Sequence, residues 1–234
     1  MDCIILLTHN FKDIFINALL KIDNDSNINN FKVIILFDNK HEYDNDINNK
    51  FKNISIIKTD RVNTSYDNLG HSMYINYFKN NYDSIKNYRY IWIIENDVYY
   101  PNSLIEFINC NNNFNYDLLV SEYGLRHPNW PWTNSLKGFD NIKNIGVLAV
   151  IMRFSQNFLL KLIDTIDTNY FGYLEAILPH ICLENNLSIH QFLPETCGIL
   201  TTNPNLPLLR IIKNDIINNK LDFIENKIYH PIKM

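Results

Sequence analysis

Apolar residues in this chain fall into short unbroken runs, separated by stretches with helical spacing. Cys3-Ile4-Ile5-Leu6-Leu7-Thr8 is continuous, the pattern of a strand buried on both faces. Phe11 to Ile22 then places apolar residues at 11, 14, 15, 18, 19 and 22, which predicts a helix that Asn10 can cap. Phe31 to Phe37 reads as a second strand ending in Asp38-Asn39, and Ile54 to Ile57 as a third, shorter one. A loop rich in Asp and Asn leads to Gly70, and a helix is expected from about Ser72 to Tyr82. The polar stretches 40–50 and 79–87 read as solvated loops.

Tyr88 to Ile94 is the most hydrophobic strand, and it runs into Glu95-Asn96-Asp97. Pro101 suits the first turn of a helix over Asn102 to Ile108. Tyr116 to Ser121 predicts a fifth strand, followed by a loop carrying Arg126, His127, Trp130 and Trp132. Ile145 to Met152 predicts a sixth strand and Ser155 to Ile166 a helix. Tyr173 to Asn186 has helical character, with Pro179 expected to kink the helix or mark its start. A short strand, Ser188 to Phe192, precedes a Pro-containing tail with one more helix, about Leu208 to Asn219. No internal repeat is present.

Strands and helices alternate through the first half. This predicts a single α/β domain spanning 1–234, with a mostly parallel, Rossmann-like central sheet flanked by helices. In such sheets ligands sit outside the carboxyl ends of the strands, near a topological switch. The residues expected there are Thr8, His9, Asp38, Asn39, Glu95, Asn96 and Asp97.

Composition narrows the classes. The 21 Lys+Arg against 25 Asp+Glu give a net charge of −4, which excludes a globally basic nucleic-acid binder. No apolar run reaches the roughly 18–20 residues of a membrane span, so no transmembrane segment is expected. Met1-Asp2-Cys3 lacks a basic region, so no signal peptide is expected. Cys3, Cys110, Cys182 and Cys197 form no CxxC pair and read as reduced thiols, which points to a cytoplasmic setting. The excess of Asn and Ile, which like Lys, Tyr and Phe have AT-rich codons, suits an AT-rich genome, as in a parasite, an amoeba or a large DNA virus; in the viral case the setting is the host cytoplasm or the virion. Interleaving of Asn with charged and apolar residues argues against prion-like behaviour.

An apolar strand ending in an acid-x-acid triplet, mid-chain in an α/β domain, resembles the DxD site of GT-A glycosyltransferases. Here it reads Tyr90-Ile91-Trp92-Ile93-Ile94-Glu95-Asn96-Asp97-Val98, with Glu in place of the first Asp. Tyr173-Leu174-Glu175-Ala176-Ile177-Leu178-Pro179 looks like the family's acceptor-side acidic segment. Tyr229-His230-Pro231 looks like the terminal His that completes the metal site in some members. The resemblance implies a nucleotide-sugar donor, by default a UDP-sugar, a Mn²⁺ or Mg²⁺ cofactor, and a glycan or glycoprotein acceptor. It implies Asp97 and His230 as metal ligands and Glu95 at the ribose or the metal-bound waters. It also implies Glu175 as general base of an inverting transfer, with Thr8, His9, Asp38 and Asn96 near the nucleotide. Trp130 and Trp132 suit either an apolar platform for a sugar face or packing anchors.

The chemistry suits these residue types. A leaving nucleoside diphosphate needs its developing charge neutralised by a hard cation with oxygen ligands, and a manganese-type site tolerates one imidazole. Two other readings remain at this level. A sugar-phosphate nucleotidyltransferase shares the sheet type, but normally carries a Gly-rich loop after its first strand, where this chain has Thr8-His9-Asn10-Phe11-Lys12. A degenerate sugar- or nucleotide-binding domain is left open by the Glu at the first motif position.

Overall fold

The computed structural model describes residues 1–61, 71–101, 103–167, 172–201, 203, 205–217 and 227–232. Its elements are β1 (Asp2–Thr8), α1 (Asp13–Asp23), β2 (Phe31–Asp38), β3 (Ile54–Thr59), α2 (His71–Ile85), β4 (Tyr90–Glu95), α3 (Leu104–Asn111) and β5 (Leu118–Leu125). There follow β6 (Ile145–Ser155), α4 (Gln156–Asp167), α5 (Leu174–Glu184), β7 (Ile189–Gln191), β8 (Cys197–Leu200), α6 (Pro207–Ile217) and β9 (Ile228–His230).

Seven strands form one sheet in the order β3-β2-β1-β4-β6-β5-β7. The β3-β2-β1-β4 half is wholly parallel, β6 runs antiparallel to both β4 and β5, and β7 is parallel to β5. The expected mostly parallel sheet is therefore present. Helices cover both faces. Cys3, Ile5 and Leu7 of β1 pack with α2, α4 and α5, whereas Ile4 and Leu6 pack with α1 and α3. This alternation is the two-residue period of a strand whose faces are both buried, which is why β1 reads as a continuous apolar run.

The chain places β1, β2 and β3 side by side, then returns through α2 to lay β4 on the other flank of β1. The switch point thus lies between the carboxyl ends of β1 and β4. Because Ile94 of β4 pairs with Ile151, the first half of β6 extends past the end of β4. The β5–β6 hairpin therefore carries its loop, residues 126–144, to the same edge. A bulge between Val120 and Glu122 bends the hairpin at this level.

Local details differ from the expectations. Asn10 does not cap α1: the helix begins at Asp13 behind Lys12, and Asn10 is held by Thr8, whose hydroxyl bonds its main chain. The stretch 79–85 is helical, since α2 continues to Ile85, and residues 45–50 form a short 3-10 helix. Helix α3 starts at Leu104 with Ser103 as its cap, so Pro101 precedes the helix; Asn102 lies outside the described residues. Pro179 sits inside α5 and does not mark its start. Gly70 and residues 218–226, including Asn219, lie outside the described residues. No helix among the described residues is long and apolar enough to cross a membrane.

Arg153 is wholly buried, and its guanidinium is held by backbone carbonyls. Its guanidinium donates to the carbonyls of Asn111, Phe114 and Tyr116 at 3.2, 2.7 and 2.9 Å and lies 3.8 Å from the Tyr90 ring centre. Arg153 thereby ties the turn between α3 and β5 to β6 of the sheet.

Candidate active site

The end of β4 turns sharply, with Val98 N–H bonded to Glu95 C=O, and so exposes Glu95 and Asp97 on one side. The tail closes over them. Tyr99 and Tyr229 exchange two backbone hydrogen bonds of 2.9 Å, and Ile232 N–H donates to Asp97 C=O at 2.9 Å. β9 also pairs with β8, which sets His230 against Leu200. Tyr229 can lie flat because residue 198 is Gly: a Cβ there would overlap the Tyr229 ring.

These contacts bring Glu95, Asp97 and His230 together. Their ligand atoms all lie within 4.8 Å of one another, and among the described residues this is the group able to hold a metal ion. His230 Nε2 is 3.0 Å from Asp97 Oδ1 and 3.4 Å from Glu95 Oε2. His230 Nδ1 donates to the Thr201 carbonyl at 2.8 Å, which leaves Nε2 as the ring nitrogen that faces the two carboxylates. His230 is buried and the carboxylates are half-buried. Burial lowers the His230 pKa, but the hydrogen bonds its Nε2–H donates to Asp97 and Glu95, with their charges, outweigh it and lift the value to about 9, so a bound cation would take the place of that proton. Two carboxylates and one oriented imidazole are a donor set for a hard divalent cation of the manganese or magnesium kind.

The other expected residues are distributed around this cluster. Thr8 is buried at the end of β1, where its hydroxyl accepts from Asn96 Nδ2 at 3.2 Å; this bond spans the switch point. His9 is exposed beside it, its ring 5.6 Å from that of His41. Partial desolvation of the ring, then the charges of His41 and Arg61, hold the His9 pKa below 6.5. Asp38 is wholly buried and ion-paired to Arg61, with Lys40 N–H at 3.1 Å and His41 at 3.7 Å. Its carboxylate therefore orders Arg61 and His41. Neither was singled out from the sequence, because nothing in the pattern links a strand-end acid to an arginine after the next strand.

Glu175 occupies the first turn of α5 and is buried. Tyr74 of α2 is wholly buried in the core: burial raises the phenol pKa well above 10, and the charges of Glu175 and then Glu95 add to the rise. Both carboxylates thus act on one hydroxyl. Trp130 and Trp132 are half-buried in the 126–144 loop, with ring centres 5.0 Å apart, edge to face. Tyr173, just before α5, stands 5.5 Å from Trp132. Arg126 pairs with Glu122 and lies over Trp130. Side-chain detail of His71 lies outside the described residues.

No family profile matches the chain. No curated protein matches it either. A solved structure described as the apo form of the bifunctional glycosyltransferase WbbM aligns with 99% of this chain and 45% of its own, at 14% identity and a TM-score of 0.48. The chain spans under half the length of that protein, and a likeness at this level carries no functional argument.

Proposed function

We propose that this chain is a metal-dependent glycosyltransferase, moving a sugar from a nucleoside diphosphate donor, by preference a UDP-sugar, to a hydroxyl acceptor. The observation that carries the reading is the Glu95–Asp97–His230 cluster beside the switch point of the sheet. A ligand bound at that crevice meets the cluster directly. Asp97, His230 and Glu95 would hold Mn²⁺ or Mg²⁺, which supplies charge neutralisation for the leaving diphosphate.

The chain's own groups account for the rest. The Thr8–Asn96 bond fixes the floor between β1 and β4. His9, with His41 and Arg61 behind it, lines the flank where the nucleotide would lie. Glu175 receives the proton of the acceptor hydroxyl as that oxygen bonds to the anomeric carbon; the bond from that carbon to the diphosphate oxygen breaks, and the configuration inverts. A binding-only domain would need neither a base nor a metal-linked nucleotide affinity.

The test is calorimetric titration of UDP with and without Mn²⁺, on wild type and Asp97→Ala. UDP affinity is expected to require Mn²⁺ and to vanish in the variant. Metal-independent UDP binding, equal in both proteins, would overturn the reading.

A further inference from the structure

We infer that His180 is a pH-sensitive latch: its neutral ring fastens the β5–β6 loop to α5, and its protonation frees residues 137–144 of that loop at the ligand edge of the sheet. The latch belongs to the loop and the helix, and holds whatever the chain acts on. The loop meets α5 at three levels. Before the first turn, the Ser135 hydroxyl accepts from Tyr173 N–H at 3.4 Å, and Gly172, at φ +145°, leaves room for Leu136. Midway, His180 Nε2 accepts from Lys143 N–H at 3.0 Å. At the last turn, Glu184 Oε1 accepts from Asp140 N–H at 2.8 Å. This last bond is exposed, so water competes for it. The one at His180 is enclosed: the residue is 1% exposed, and its ring centre is 5.3 Å from that of the buried Phe139.

The surroundings of His180 fit one protonation state. Lys143 N–H can only donate, so Nε2 must accept and carries no proton. The Ala176 carbonyl, 2.7 Å from Nδ1, can only accept, so the ring proton sits on Nδ1. A second proton has to go to Nε2, where it would point at Lys143 N–H. Two donors would then face each other, with a charged ring shut away from water. Protonation therefore requires the loop to move off. The charged groups nearby do not remove this conflict. Glu184, on the same helix, favours the cation and Lys143, on the loop, opposes it. Lys161 and Asp164 of α4 are of opposite sign and border the cleft that Glu184 and Asp140 share. β6 adds the apolar Val147 and Ala149 to this core cluster. Burial prevails and holds the His180 pKa below 6.5.

Release is local, because the freed segment is held at both ends. Ser135 is tied to Tyr173, and Arg126 N–H donates to Asn144 C=O at 2.8 Å. Opening uncovers Phe139 and the His180 ring. A ring in water binds its proton near pH 6.5, whereas the fastened ring does not. The closed form is therefore favoured above pH 6.5 and loses ground as the pH falls. One proton taken up only on opening makes the open fraction about tenfold larger at pH 5.5 than at pH 7.5. The result is a ligand-edge loop that is fixed near neutrality and free in acid.

The experiment is hydrogen exchange on the full chain, read by mass spectrometry at pH 7.5 and 5.5 and corrected for the intrinsic pH dependence of exchange. Amides of residues 137–145 are expected to lose about tenfold in protection at pH 5.5, while those of β1 stay protected. His180→Gln has no proton to gain and leaves the Glu184–Asp140 bond in place, so its segment should exchange alike at both pH values. Equal protection of the wild-type segment at the two values, or the tenfold loss kept in folded His180→Gln, overturns the inference. So does a segment that exchanges no faster than β1, since the loop would then open only with the whole fold. If His180→Gln fails to fold, ¹⁵N spectra of the wild-type ring decide. They should show the Nδ1–H imidazole at pH 7.5, and an Nε2–H or doubly protonated ring at that pH overturns the latch.

Discussion

Gly198→Val probes how the tail delivers His230. A Cβ at this position would stand 2.8 Å from Cδ1 and Cζ of Tyr229 and nearer still to Cε1. Carbon atoms prefer about 3.5–4.0 Å, so the ring and the new side chain cannot coexist unchanged. The ring has little freedom: it is buried among Leu209, Ile212, Ile216 and Ile232, while its backbone is bonded to Tyr99 on both sides. Expelling it to solvent would forfeit about 4 kcal/mol, from roughly 150 Å² at 25 cal/mol/Å². Shifting β9 against β8 costs about 1–3 kcal/mol of overpacking strain and is the cheaper response. His230 is the next residue, and a shift of β9 moves its Nε2 away from Asp97 and Glu95. Loss of support for a metal ligand typically lowers affinity about 10–100-fold, and that is the expected fall for Mn²⁺. The assay is Mn²⁺ titration by calorimetry, with melting temperatures measured alongside. Adding Tyr229→Ala to Gly198→Val removes the clash while the backbone pairing remains, so affinity should largely return. Wild-type Mn²⁺ affinity in folded Gly198→Val, or a loss that Tyr229→Ala leaves untouched, refutes this account of the tail.

Named contacts lead to three more expected outcomes. Glu175→Gln should cut sugar transfer by about 10²–10⁴ with donor affinity unchanged, since a base acts in the transition state; normal turnover would remove it as the base. His180 donates from Nδ1 to Ala176 C=O at 2.7 Å and accepts at Nε2, and burial holds its pKa below 6.5. The unfolded chain therefore takes up this proton first, so stability present above pH 6.5 is lost as the pH falls further. In urea unfolding, wild type should lose more between pH 7.5 and 5.5 than His180→Gln does, and parallel losses would contradict the assignment. Arg153→Lys keeps a charge but cannot span three carbonyls, and should lower unfolding free energy by about 2–4 kcal/mol; a melting temperature within a degree of wild type would argue otherwise.

How much of this was legible in the sequence depends on what each segment had to satisfy locally. β1, β2 and β4 are buried on both faces, so their apolar runs name them, and the polar residues that end them name the ligand edge. Strand direction leaves no such trace: Ile145–Ser155 reads as a strand, but nothing in its composition says that it runs antiparallel to β4. β5 was expected to stop at Ser121, yet it pairs with β6 as far as Leu125 through partly exposed residues and a bulge. β8 and β9 are short and lie beyond the main sheet, and their pairing depends on Gly198 admitting a ring from Tyr229. Asn10 has the right residue type for a cap, but the Thr8 hydroxyl competes for its backbone and the helix starts later. Glu95 and Asp97 were visible as strand-end acids, whereas the approach of His230 came from resemblance alone. Its geometry depends on Thr201 C=O, a backbone group that no side-chain pattern reveals.

The site divides along these same lines. The metal cluster stands on the end of β4 and on the tail, through Tyr99, Tyr229 and Ile232. The Trp132–Tyr173 pair stands on the β5–β6 loop and on α5, through Ser135 and His180. These supports share no residue, and effects at separate sites generally add. The buried Tyr74 phenol lies in the field of both Glu175 and Glu95, one from each half. Disturbing the tail should therefore weaken metal and nucleotide binding and leave acceptor binding intact, with the reverse for the loop. Removing the Tyr74 hydroxyl, as in Tyr74→Phe, changes the surroundings of both carboxylates at once. If the two halves work as one site, that single change should alter transfer more than it alters either binding step. Turnover that only tracks the two affinities would mean that Tyr74 fills space between independent sites.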